Sequence, residues 1–67
     1  MKGIEYYYAR FQVMLDTIGG TISEEFRAFA ATHTPRDVFL WLEERRKRGE
    51  LPKEIEPTLT DFYWEIF

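Results

Sequence analysis

The stretch IEYYYARFQVMLDTIGG places apolar residues at Ile4, Tyr7, Tyr8, Phe11, Met14, Leu15 and Ile18. Steps of three and four are what one buried face of an α-helix requires, and they conflict with the two-residue alternation of a half-buried strand. Gly19 and Gly20 then stop the helix, because glycine adopts the left-handed conformation at a helix C-terminus without steric cost. A helix of this length does not hold itself together in water, so its apolar stripe must be covered by other elements.

Those elements are helical too. In TISEEFRAFAATH, Thr21 with Glu24 fits a capping box, Ser23 is an alternative cap, and Ile22, Phe26, Phe29 and Ala30 form an inner stripe. A third helix starts with Thr34 as cap, Pro35 at its first position and Asp37 in its first turn, and ends at Gly49. ELPKEIEP then reads as a connector, since Pro52 and Pro57 each push the preceding residue away from helical geometry. A short fourth helix is predicted from Thr58 or Thr60 to the last residue, with Leu59, Phe62, Tyr63 and Ile66 facing inward. No alternating segment or Asn-Gly hairpin turn suggests a strand. The expected fold is therefore all-α: one domain over residues 1–67, a small bundle of three main helices plus a short C-terminal fourth.

Composition explains how so short a chain holds a core. At 67 residues it buries only about 60% of the surface its unfolded form exposes, and without cysteine it has no disulfide or thiolate zinc site to staple it. Six Phe, four Tyr and two Trp compensate, each stabilising by roughly 1.5–3 kcal/mol when fully buried. The net charge of −3 disfavours a general nucleic-acid binder. MKGIEYYYARF has none of the organisation of a signal peptide, no apolar run reaches the ~20 residues of a bilayer span, and the lack of cysteine suits a reducing cytoplasm, so a cytoplasmic protein is expected.

The sequence offers little to catalysis. Ser23 and His33 are the single serine and histidine and share one short helix, which cannot set them face to face as a hydrolytic pair. His33 is more simply a helix-end residue that meets terminal carbonyls. Asp61 with Glu65, and Glu54 with Glu56, are spaced to share a cation, but a solvated face explains them better than a metal site does. The glycine pair follows a helix rather than a strand and so is no phosphate loop. No catalytic residue, metal, cofactor or small-molecule substrate is expected.

Two features bear on nucleic acid. RRKR, Arg45 to Arg48, suits a phosphate backbone, but Glu43 with Lys47 and Glu44 with Arg48 are favourable pairs at the C-terminal end of a helix. Helices two and three with the intervening THT outline a helix-turn-helix, yet the start of the second helix, PRDVFLWL, is too apolar and partly acidic to read base edges.

Apolar side chains remain that the core does not claim. Rotating 100° per residue puts Tyr6 and Val13 nearly opposite Ile4, turns Leu40 away from the inward Val38, Trp41 and Leu42, and sets Trp64 off the final stripe. With Phe67 these form the candidate partner-binding set: Tyr6, Val13, Leu40, Trp64 and Phe67. Trp and Tyr dominate binding hot spots, and clustered exposed apolar residues mark contact surfaces, although apolar side chains exposed singly are common.

The last third, LPKEIEPTLTDFYWEIF, resembles a segment of small tail-assembly proteins of tailed bacteriophages, in which a helical domain precedes an aromatic motif with Trp and Phe three apart. Trp64 and Phe67 match that pair, and Phe62 and Tyr63 lead into it. The resemblance implies a non-catalytic chaperone that coats the tape-measure protein during tail assembly, acting in the host cytoplasm. In those relatives the chain continues past the motif, whereas this one stops at Phe67, as a shortened product or an unrelated small phage protein would. The expected function is thus protein binding or self-association by an accessory protein of this kind. The alternatives are a small phage-encoded inhibitor that occupies a basic surface of a host enzyme or defence complex, and a helix-turn-helix-like DNA-binding regulator.

Overall fold

A computed structural model describes residues 3–67; Met1 and Lys2, the first two positions of the expected domain and of the segment read for a signal peptide, lie outside the described residues. Four helices follow in order: α1 (Ile4–Ile18), α2 (Ile22–Thr32), α3 (Pro35–Lys47) and α4 (Ile55–Ile66). Among the described residues there is no strand, and the all-α bundle expected from the periodicity is what forms. Each helix packs on its chain neighbours and α4 closes back on α1. The Cα radius of gyration is 10.8 Å, close to the ~10.9 Å of a compact chain of this length.

The helix boundaries have local causes. Gly19 and Gly20 both take positive φ (76° and 74°) and turn the chain from α1 into α2. Thr34 caps α3, its Oγ1 accepting from the Asp37 N–H at 3.2 Å, with Pro35 at the first helical position. At the other end of α3, Gly49 (φ 75°) donates to the Arg46 carbonyl and Glu50 donates to the Arg45 carbonyl, both at 3.0 Å. These two bonds make a Schellman motif that satisfies carbonyls the helix cannot.

Two expectations about helix starts are corrected. Neither Thr21 nor Ser23 caps α2. Thr21 Oγ1 makes no cap bond and instead donates to the Glu25 carboxylate at 2.7 Å, and Ser23 lies inside the helix. The fourth helix begins at Ile55, not at Thr58 or Thr60, so it is as substantial as α2. Pro57 is its third residue, where the N–H that proline lacks has no intrahelical partner in any case. The burial of Ile55, 0% exposed, outweighs the bias of Glu56 against helical geometry before a proline.

The core consists of Tyr7, Phe11 and Leu15 from α1, Phe26 from α2, Val38 and Leu42 from α3, and Ile55, Leu59 and Phe62 from α4. Phe62 is its hub, with ring centroids 5.3 Å from Phe11, 5.5 Å from Tyr7 and 5.9 Å from Tyr8. Phe26 meets Phe11 and Tyr8 edge-on at 6.0 and 5.9 Å, the geometry that aromatic quadrupoles favour. Burial raises the Tyr8 phenol above its ordinary pKa by disfavouring the anion. Ile18, at the end of the first stripe, and Tyr63, expected to face inward, are both exposed.

Candidate protein-binding surface

Tyr63 is exposed because it lies at the edge of the α4 stripe, and there it organises the aromatic residues around it. Its ring stacks on Phe67 with centroids 4.8 Å apart and receives Trp64 edge-on at 5.2 Å. From α3, Phe39 completes the group, 5.3 Å from Tyr63 and 5.5 Å from Phe67, while also reaching the core at Phe62 (6.5 Å). The Arg36 guanidinium sits 4.9 Å above the Phe67 ring. Trp64 is 74% exposed and Phe67 50%, so the cluster is anchored at Phe39 and open at its outer edge.

A groove of about 340 Å³ runs between α3 and α4 beside this cluster. Phe39, Leu59 and Tyr63 supply its apolar lining, Trp64 stands at one side, and Glu43, Arg46 and Glu56 contribute charge. Arg46 Nε donates to Glu43 Oε1 at 2.6 Å. That hydrogen bond first, and then the charges of Glu43 and Glu56, hold the Arg46 guanidinium above its usual pKa despite some desolvation. Glu43, expected to pair with Lys47, pairs instead with Arg46, three residues on, the other spacing at which helix side chains meet.

The five candidate residues do not form one patch. All are exposed, but the ring contacts join only Trp64 and Phe67, through Tyr63. Tyr6 and Val13 share the outer side of α1, where Tyr6 meets the edge of Tyr7 at 5.3 Å. Leu40 lines a different, shallower groove of about 500 Å³ between α2 and α3, with Phe29, His33 and Trp41. Phe39 belongs with Trp64 and Phe67, and only its place within the apolar run VFLWL hinted at it: a rotation of 100° from Val38 puts it on the flank, neither in the core nor opposite it.

The remaining polar candidates have structural partners. His33 stacks on Phe29 at 3.7 Å, its Nδ1 lying 3.0 Å from the Phe29 carbonyl oxygen at the end of α2. Ser23 lies ten residues away in the same region of chain, about 15 Å along a helix, which separates the two. Arg45 bridges Glu25 at 3.3 Å and Glu50 at 3.0 Å and covers Trp41, with its guanidinium 4.3 Å from the ring. Arg48 pairs with Glu44 at 3.3 Å, as its spacing predicts. Among the described residues no group of three or more His, Asp or Glu side chains comes together as a cation site, and no helix is long and apolar enough to cross a membrane.

No protein-family model, curated protein or solved structure matches the chain.

Proposed function

We propose that this chain is a non-catalytic protein-binding accessory protein and that it binds through the α3/α4 surface built on Phe39, Tyr63, Trp64 and Phe67. One observation carries the reading: Trp64, 74% exposed, projects from an aromatic cluster whose inner members are fixed by the core. A rigid aromatic held in solvent beside an apolar groove is the arrangement of a binding hot spot, and folding gains little from it. The resemblance of the last third to tail-assembly proteins supports an assembly chaperone of the host cytoplasm. Among the described residues no carboxylate of α4 makes an ion pair, which favours as a second form the inhibitor that occupies a basic surface. The RRKR cluster adds little to the DNA-regulator reading, since Arg45, Arg46 and Arg48 are all engaged by glutamates.

Light scattering behind a sizing column, over a wide range of concentrations, tests this. A defined oligomer that dissociates in Trp64→Ala supports the assembly form, and a strict monomer moves the inhibitor form ahead. The whole proposal fails if Trp64→Ala leaves every oligomer and partner complex unchanged.

A further inference from the structure

Helix α4 carries a charge pattern that no ion pair among the described residues accounts for. From Glu54 to Phe67 there are four carboxylates, Glu54, Glu56, Asp61 and Glu65, and no Lys or Arg. Glu54 and Glu56 sit at the N-terminal end, where the helix dipole welcomes them, but Glu65 is the penultimate residue of α4, where the dipole opposes a negative charge. No basic residue occupies that last turn. Among the described residues none of the four makes an ion pair; the bridges go to Glu25, Glu43, Glu44 and Glu50 instead.

The aromatic cluster lies within this field. Asp61 precedes Trp64 by three residues, one turn along the helix, and Glu56 lines the groove on the other side of Trp64. An apolar groove in which Glu43 and Glu56 outnumber Arg46, with Asp61 one turn from Trp64, is matched by a segment carrying an apolar side chain and cations. Rings on this molecule already accept guanidinium groups, Arg36 on Phe67 and Arg45 on Trp41, and the exposed face of Trp64 is the strongest site of that kind.

A second copy of the chain is a poor occupant. Three of its nine Lys and Arg residues, Arg45, Arg46 and Arg48, are held by its own glutamates, and a two-fold contact through α4 sets like carboxylates against one another. Anionic lipid and nucleic acid meet the same repulsion. We propose that the α3/α4 surface captures a cationic segment of a partner protein, which inserts an aliphatic or aromatic side chain over Phe39, Leu59 and Tyr63 and lays Lys or Arg across Trp64 beside Glu56 and Asp61. This rests on the reading of the same surface as protein-binding. The groove volume, about 340 Å³, is at the low end of the ~300–1,000 Å³ of small-ligand sites and suits an inserted side chain.

The test uses three synthetic peptides of about 15 residues with one shared leucine pattern of helical spacing, differing only in whether Lys, Gln or Glu fills the remaining positions. Each is titrated into the full chain and read by backbone amide shifts. The Lys peptide is expected to bind with shifts centred on Phe39, Glu43 and the segment from Glu56 to Trp64. The Gln and Glu peptides should bind at least about tenfold more weakly, a gap worth ~1.4 kcal/mol. Trp64→Ala should weaken the Lys peptide by a similar factor, and the double variant Glu56→Gln with Asp61→Asn should bring it toward the Gln peptide.

Equal binding of all three peptides, shifts on another face, undiminished binding to Trp64→Ala, or no binding overturns the inference. So does a Trp64-dependent oligomer that the Lys peptide cannot displace, in which case a second copy is the occupant and the protein-binding reading stands. A blue shift of tryptophan fluorescence on zwitterionic phosphatidylcholine vesicles that is absent in Trp64→Ala, without peptide binding, assigns the surface to a membrane and overturns both readings.

Discussion

Replacing Ile55 by alanine separates the observed α4 from the shorter helix its prolines suggest. Ile55 is fully buried in the core with Leu59 and Phe62. Truncation removes three carbons, about 2.4 kcal/mol of transfer free energy at ~0.8 kcal/mol per methylene. The residual cavity adds to this, within the ~2–5 kcal/mol seen for Ile→Ala in cores; about 3 kcal/mol is the expectation. A chain of 67 residues has roughly 3–10 kcal/mol of total stability at ~0.05–0.15 kcal/mol per residue, so the variant loses about 30% of it or more. The corresponding fall in Tm is about 12–24 °C at ~4–8 °C per kcal/mol. Urea unfolding followed by circular dichroism should show a lower midpoint with an unchanged slope, the mark of altered stability rather than altered compactness. Were Ile55 part of a solvated connector ahead of a helix starting at Thr58, the loss would stay within ~0.5 kcal/mol, and that result would refute the account of α4.

Trp64→Ala is expected to shift the urea midpoint by less than ~0.5 kcal/mol, because the residue is largely exposed; a loss above about 2 kcal/mol would mean that Trp64 serves folding instead of binding. Thr34→Ala should cost about 1 kcal/mol through the lost bond to the Asp37 N–H, and Thr21→Ala clearly less, since Thr21 caps nothing; equal losses would contradict this. Burial raises the Tyr8 pKa, so the native state retains the phenol proton longer than the unfolded chain, whose phenol titrates near pH ~10. The Tyr8 contribution is therefore complete below pH ~10 and lost as pH rises from there through the folded-state pKa, and urea midpoints of Tyr8→Phe should fall less steeply than wild type across about pH 9–11.

Much of the fold is legible in the chain because its punctuation is chemical and local. Gly19-Gly20, Thr34-Pro35 and Gly49 act through backbone conformation and single hydrogen bonds, and α1 and α3 start or stop where these residues require. Pro57 misleads because its local effect depends on its place in the helix: the same ring that breaks an interior is harmless in a first turn, and only the core contact of Ile55 decides which applies. Thr21 misleads in the same way, since its hydroxyl has a carboxylate and a backbone donor within its choice, and Glu25 wins.

The candidate site divides along the same line. Rotation about a helix axis needs no knowledge of neighbours, and so it correctly separates Tyr6, Val13, Leu40 and Trp64 from the core as exposed side chains. Whether those side chains meet is a question about helices distant in sequence. By itself the sequence determined an all-α chain, most of its inner faces and the apolar residues left outside them, because periodicity and capping are properties of short segments. Tertiary structure alone decided that Phe39 joins Tyr63, Trp64 and Phe67 while Leu40 and the α1 pair stand apart, because the packing of α3 on α4 sets which flanks face each other, and no rule of spacing within one helix contains that information.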